Sequence, residues 1–183
     1  MWKKVVPVKT VAAIGIGSAI LFVLMRFAAV PSGAPNTYIN FGIVILSVFA
    51  ATLGPLAGFL IGFIGHALVD FTVGLVSWPW VIADALYGLA VGFFWKHYRV
   101  VEGKFGVKQA LIFNVVQILA NLLAWVSIAP ALDILIDHEP SDIVYIQGLV
   151  AGALNIAVVL IFGTLLLFGY SGTRAKAGSL KRE

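Results

Sequence analysis

From Tyr38 to Val69 the chain carries no Asp, Glu, Lys or Arg, and then it sets Asp70 within an otherwise apolar run. A stretch of that kind cannot be balanced between a wet face and a dry face, so it does not read as an amphipathic helix or strand of a water-soluble domain. With 61% apolar residues, 11% charged residues and a mean hydropathy of +1.05, the chain is solvated by lipid. A carboxylate inside such a run is expensive unless it has a partner or a task. Function is therefore to be sought where the few polar groups interrupt the apolar background.

Crossing a hydrocarbon core of roughly 30 Å takes about 20 apolar residues in a helix. Six stretches qualify, at about 8–29, 38–53, 55–76, 79–95, 108–129 and 144–169, which predicts an all-α polytopic membrane protein forming one domain over residues 1–183. The start Met1-Trp2-Lys3-Lys4 is like that of a signal peptide. The apolar run behind it is too long, with no small-residue cleavage site, so a retained first helix is expected. Cysteine is absent, and thiol chemistry with it.

The charges set the orientation. Lys3, Lys4 and Lys9 precede the first stretch, Lys96, Arg99, Lys104 and Lys108 lie between the fourth and fifth, and Arg174, Lys176, Lys181 and Arg182 follow the sixth. These three segments hold eleven of the twelve basic residues, which places them and both termini in the cytoplasm. The 130–143 segment, with Asp133, Asp137, Glu139 and Asp142 and no Lys or Arg, belongs outside. An even number of crossings must then separate the N-terminus from the 96–108 loop. The shortest stretch, 38–53, would be only about 24 Å long, yet fusing it with the next would give a helix of about 45 Å. Gly54-Pro55 is the natural break.

Helices in lipid approach through small side chains. Gly54, Gly58, Gly62, His66 and Asp70 recur every four residues, Asp84, Gly88 and Gly92 repeat the pattern, and Gly148 and Gly152 offer a shorter version. The glycines read as packing seams. The first helix holds two overlapping small pairs, Ala13/Gly17 and Gly15/Ala19, one for its own bundle and one available to a second protein.

From the orientation, Arg26, Asp70 and Asp84 share the outer third of the bilayer, where the arginine is expected between the two carboxylates. Asn114, Gln117, Asn121 and Trp125 fall on one helical face, Tyr145 and Gln147 begin the last helix, and Asn155 lies near mid-membrane. The first outer loop adds Asn36, Thr37 and Tyr38, and the second Trp78 and Trp80. Together they predict a hollow open to the outside, lined by aromatic and amide groups, as small-molecule pockets are. Plainer roles compete: an interfacial belt for Trp78, Trp80 and Tyr145, snorkelling for Arg26, interhelical bonding for Asn114 and Gln117, and a bond from His66 to Asp70 one turn away. No phosphate-binding Gly-x-x-x-x-Gly-Lys-[Ser/Thr] loop and no His-Glu-x-x-His pair occurs, and no serine is placed to act with His66. An enzyme, a resident cofactor and a metal site are not expected.

Several segments resemble one family. They are Val11-Ala12-Ala13-Ile14-Gly15-Ile16-Gly17, Arg26-Phe27, Pro35-Asn36-Thr37, Gly54-Pro55-Leu56-Ala57-Gly58, Gly62-Phe63-Ile64-Gly65-His66-Ala67-Leu68 with Asp70-Phe71, Asn114-Val115-Val116-Gln117, and Pro130 with Asp133-Ile134-Leu135-Ile136. The chain is similar over nearly its whole length to the substrate-binding S components of energy-coupling-factor (ECF) transporters, most of all to those assigned to cobalamin in lactobacilli, while the wider family name leans toward riboflavin. The resemblance implies a six-helix vitamin binder that works with a transmembrane coupling subunit and two ATPases, docks through small residues of its first helix (here Ala13, Gly15, Gly17 and Ala19), and topples to deliver ligand. The substrate-binding residues expected on this reading are Arg26, Asn36, Thr37, Tyr38, Asp70, Trp78, Trp80, Asp84, Asn121, Trp125, Tyr145 and Gln147, with cobalamin favoured over riboflavin. The alternative is a solitary proton-coupled permease using His66, Asp70 and Asp84 as a relay.

Overall fold

A computed structural model describes residues 8–174. The expected basic residues Lys3, Lys4, Lys176, Lys181 and Arg182 lie outside the described residues. Within them the chain is an all-α membrane protein, with a single two-residue strand pair as its only sheet.

Four helices are long and apolar enough to cross a membrane: α1 (Val8–Phe27), α3 (Pro55–Val73), and the continuous stretches Val107–Ile136 and Ser141–Gly172. Two apolar helices are shorter, α2 (Gly42–Leu53) and α4 (Trp78–Phe93). At 1.5 Å per residue they measure about 18 and 24 Å, less than a hydrocarbon core. A short helix α5 (Trp95–Tyr98) leads from α4 into the loop before Val107. The remaining elements are α6 (Val107–Asn121), α7 (Ala129–Ile136), α8 (Ser141–Val158) and α9 (Thr164–Gly172).

The sequence explains the breaks. Gly54 adopts φ +93°, a conformation open to glycine, and Pro55 opens α3 where its missing N–H costs nothing. Gly74 ends α3 in the left-handed conformation, its N–H donating to the Asp70 carbonyl at 3.1 Å. The segment expected to be helical from residue 38 starts instead at Gly42, whose N–H donates to Asn40 Oδ1 at 2.7 Å. Tyr38 and Ile39 form strand β2 and pair antiparallel with Val30 and Pro31, strand β1. Ser32 ties this loop by donating to the Thr37 carbonyl at 2.8 Å.

The fifth apolar stretch runs seven residues beyond its expected end. Proline at 130 would press against the carbonyl of residue 126 in a regular α-helix. The chain between Leu122 and Ile128 is wound as a wider π-helix, and Pro130 sits at the start of α7. Ser127 Oγ donates to the Leu122 carbonyl five residues back at 3.1 Å. The helix therefore continues through Asp133 where an outer loop was expected. A second π segment, Val159–Gly163, joins α8 to α9.

The core sits where α2, α3 and α4 meet, with Leu21, Ile43, Leu46, Ile61, Tyr87 and Val91 fully or almost fully buried. Ser47 and Tyr87 share a hydrogen bond of 2.7 Å there, so neither hydroxyl is left unpaired. Outward-facing positions are apolar instead: Val11, Leu111, Val115, Leu119, Leu149 and Leu165 are all exposed. A surface of that kind would drive aggregation in water and is ordinary against lipid chains.

The closest helix pair is α3 with α4. A methyl group added at Gly58 would overlap the Gly88 carbonyl, one at Gly62 the Asp84 carbonyl, and one at Gly92 the backbone of Gly54 and Pro55. The backbones touch along the whole seam, which is the close approach small residues permit in lipid. Gly15, by contrast, has nothing within 4 Å. Gly58→Ala is accordingly expected to cost about 1–3 kcal/mol through overpacking, read as a lowered thermal midpoint in detergent, while Gly15→Ala leaves the midpoint unchanged.

Candidate ligand hollow

The glycine seam delivers its next residue, His66, to α4. Gly58 faces Gly88, Gly62 faces the Asp84 backbone, and one turn on His66 Nδ1 meets Asp84 Oδ2 at 2.9 Å. His66 Nε2 lies 3.7 Å from Asp70 Oδ1 on its own helix. The imidazole is thus held between two carboxylates, the place where Arg26 was expected. Arg26 instead is exposed, with its guanidinium 5.6 Å from the Phe27 ring, and makes no ion pair among the described residues. The physical reason is reach: His66 shares the seam with Asp84, whereas Arg26 ends a helix that packs on the other side of α3. The expected bond from His66 to Asp70 is the longer of its two contacts.

Above this cluster opens a hollow of about 940 Å³. Its wall is made by the end of α1, the β1–β2 loop, α3 and its following loop, Trp80 of α4, Trp125 of the π segment, the α7–α8 turn, and α8. Trp80 and Trp125 stand with ring centroids 5.6 Å apart, and Trp125 lies nearly parallel to the His66 ring at 6.4 Å. Trp80 Nε1 donates to Asp133 Oδ2 at 2.7 Å, and the Ser77 N–H donates to Asp70 Oδ2 at 3.0 Å. The result is an aromatic wall with a carboxylate-rich mouth. Such a surface suits a flat, uncharged or donor-rich organic ligand. Among the described residues no group of three His, Cys, Asp or Glu is placed to hold a metal ion.

Of the expected binding residues, Arg26, Asn36, Thr37, Tyr38, Asp70, Trp80, Trp125 and Gln147 line this hollow, and Trp78, Asp84, Asn121 and Tyr145 do not. Two of the displacements follow from helical geometry. Residues two apart point about 200° apart around a helix of 3.6 residues per turn, so Trp80 faces in while Trp78 faces out against Phe63 at 6.1 Å. By the same rule Gln147 faces in and Tyr145, 43% exposed, faces away. Asp84 is 1% exposed and sits behind His66. Asn121 is fully buried and turns its amide back to Gln117 Oε1 at 3.1 Å. Asn114 bonds Thr164 Oγ1 at 2.9 Å, an interhelical tie.

His66, Asn40, Ser77, Asp133 and Asn155 also line the hollow; of these, Asn155 was expected to face it but not among the binding residues. Asn155 carried a signal, since Gln147, Ala151 and Asn155 repeat every four residues along α8 and all three line the hollow. Asp133 carried none, because its place depends on the π segment. On α1, Gly17 is buried, and a methyl there would meet Ile61 and Phe49, whereas Gly15 and Ala19 are exposed and Ala13 is half-buried.

A family model described as "ECF-type riboflavin transporter, S component" matches residues 5–172. A UPF0397 protein of Lacticaseibacillus casei (strain BL23) is 47% identical over 182 residues, which is 99% of this chain and 98% of that protein. One from Clostridium perfringens (strain SM101) is 47% identical over 184 residues, the full length of both. A third, from Staphylococcus aureus (strain MSSA476), is 44% identical over 184 residues, again the full length of both. None of these descriptions carries cobalamin, the ligand favoured from the sequence. No solved structure matches the chain.

Removing one partner of a buried hydrogen bond leaves the other unsatisfied, a loss of about 1–3 kcal/mol. His66→Leu is therefore expected to lower the thermal midpoint sharply. The double variant His66→Leu with Asp84→Leu should recover most of the loss, as a double-mutant cycle in detergent would show.

Proposed function

The chain belongs to the S component family of ECF-type riboflavin transporters, and on that footing we propose that it captures a ring-bearing vitamin from outside the cell for a coupling subunit and two ATPases to import. The observation that carries this is the hollow itself: Asp70, Trp80, Trp125 and Gln147, from four different helical segments, meet the Asn36-Thr37-Tyr38 loop around about 940 Å³. The family description favours riboflavin. The volume stands at the upper end of small-molecule pockets, which favours the bulkier cobalamin. The protein is a transport subunit of the cell membrane, and its work is binding, with ATP hydrolysis left to its partners.

In this reading all six apolar helices cross the bilayer with both termini in the cytoplasm, and the hollow faces out. The Gly15/Ala19 face of α1 meets the coupling subunit, because Gly17 is already taken up by α3. Delivery follows when the whole bundle reorients against that subunit.

Calorimetry on the purified chain with a vitamin panel that includes riboflavin and cyanocobalamin tests the reading. Saturable binding of one of them by the chain alone is expected; no binding of any vitamin overturns it. Gly15→Leu is expected to leave that binding unchanged while abolishing uptake by the assembled transporter, measured with radiolabelled vitamin in proteoliposomes. A second reading, a solitary proton-coupled permease, draws on the His66–Asp84 and His66–Asp70 contacts. It requires uptake driven by a pH gradient in liposomes holding this chain only, and the vitamin-capture reading predicts none.

A further inference from the structure

Two of the buried donors in the wall of the hollow have no partner. Asn155 is 2% exposed, and its Nδ2 makes no hydrogen bond among the described residues. Trp125 is 7% exposed, and its Nε1 is likewise unpaired. Leaving a buried donor unsatisfied is unfavourable, and folded proteins avoid it unless the group has another use. The indole N–H of Trp80 is bound by Asp133; Ser18 Oγ, Asp84 Oδ1 and Asn121 Oδ1 also lack partners among the described residues, but none of these three residues lines the hollow.

The geometry around Asn155 describes what it would meet. Gln147, Ala151 and Asn155 line the hollow in one row on α8, so the two amides lie about 12 Å apart along the axis. Between them Ala151 contributes only a methyl group to the lining. Trp125 forms part of the same lining, backed by His66 and Trp80. An aromatic face beside so short a side chain suits a flat ring system. The lining also carries Asp70, Asp133, Asp137 and Glu139 against Arg26 as its only Lys or Arg among the described residues, which disfavours an anion. Both nitrogens are shielded from solvent, so the Asn155 amide turns about its soft last torsion and the Trp125 ring shifts to offer them to a ligand.

We infer that Asn155 is a specificity-determining residue of the hollow. Its amide and the Trp125 indole N–H receive the carbonyl-type acceptor edge of an uncharged planar heterocycle that lies over Ala151. This inference rests on the vitamin-capture reading and names the end of the ligand that goes in first. A purely structural asparagine would hold α8 to its neighbours through hydrogen bonds; the Nδ2 of this one makes none.

The test uses the full chain in detergent, as wild type, Asn155→Leu and Trp125→Phe. Thermal midpoints are measured without added vitamin, and riboflavin, cyanocobalamin and riboflavin 5′-phosphate are titrated by calorimetry. Asn155→Leu, which keeps the branching of asparagine and deletes its donors, is expected to keep or raise the midpoint. It should weaken riboflavin, the planar heterocycle of the pair, at least tenfold, and a wild type that binds cyanocobalamin and not riboflavin overturns the inference. Trp125→Phe, which keeps a ring and deletes the N–H, should weaken riboflavin at least tenfold as well, and gives the binding result if the leucine variant does not accumulate. The phosphate ester should bind at least tenfold more weakly than riboflavin. A midpoint lowered by several degrees in Asn155→Leu, unchanged riboflavin affinity in both variants, or equal affinity for the phosphate ester overturns the inference. If the wild type binds neither vitamin, the capture reading falls by itself, and the midpoint of Asn155→Leu still decides whether its amide is structural.

Discussion

The contact between α3 and α4 governs the rest of the molecule. At Gly58, Gly62, Gly88 and Gly92 the two backbones lie so close that a single methyl group would overlap the opposite chain. Lipid gives little hydrophobic reward for helix association, so dispersion across a wide, close contact has to supply it. The same spacing of four residues that makes the seam smooth brings His66 to Asp84, without a loop or a long side chain to bridge the gap. A polar pair that would be costly on its own is fixed by apolar packing one turn away.

That arrangement divides the protein into a tight half and an open half. Where glycines meet, the helices touch; beyond His66 the seam ends, α3 terminates at Gly74, and the space is taken by Trp80, Trp125 and loops. The hollow is therefore a consequence of where the glycine series stops. Its acidic mouth and aromatic wall are built from groups that mostly satisfy one another, as Trp80 does with Asp133 and Ser77 with Asp70. Of the five buried side-chain atoms left without a partner among the described residues, only those of Trp125 and Asn155 belong to residues that line the hollow.

Much of this was legible in the residues, for reasons that can be named. The glycine stripes, the Gly54-Pro55 break and the membrane character follow from local spacing and composition, which a sequence carries directly. The hollow's general makeup was legible too, because few polar residues were available to form it. The exact facing of side chains was not. Trp78 and Trp80, or Tyr145 and Gln147, are equivalent in composition, and only the rotation of each helix decides which turns inward. Arg26 was a reasonable partner for two carboxylates by depth alone, yet the partner is His66, because lateral position in the bundle has no local signature. The π segment before Pro130, which carries Asp133 to Trp80, is a tertiary adjustment that an α-helical period does not announce.

The central proposal is that the polar face of α8 lines a hollow that opens to the cell exterior and takes up a vitamin. Because the natural chain has no cysteine, a single Gln147→Cys variant gives a unique reporter on that wall. Intact cells producing it can be treated with a membrane-impermeant maleimide, with and without riboflavin or cyanocobalamin. The account predicts labelling from outside that one of the two vitamins blocks. Labelling only after the cells are opened, or labelling that neither vitamin slows, would contradict it.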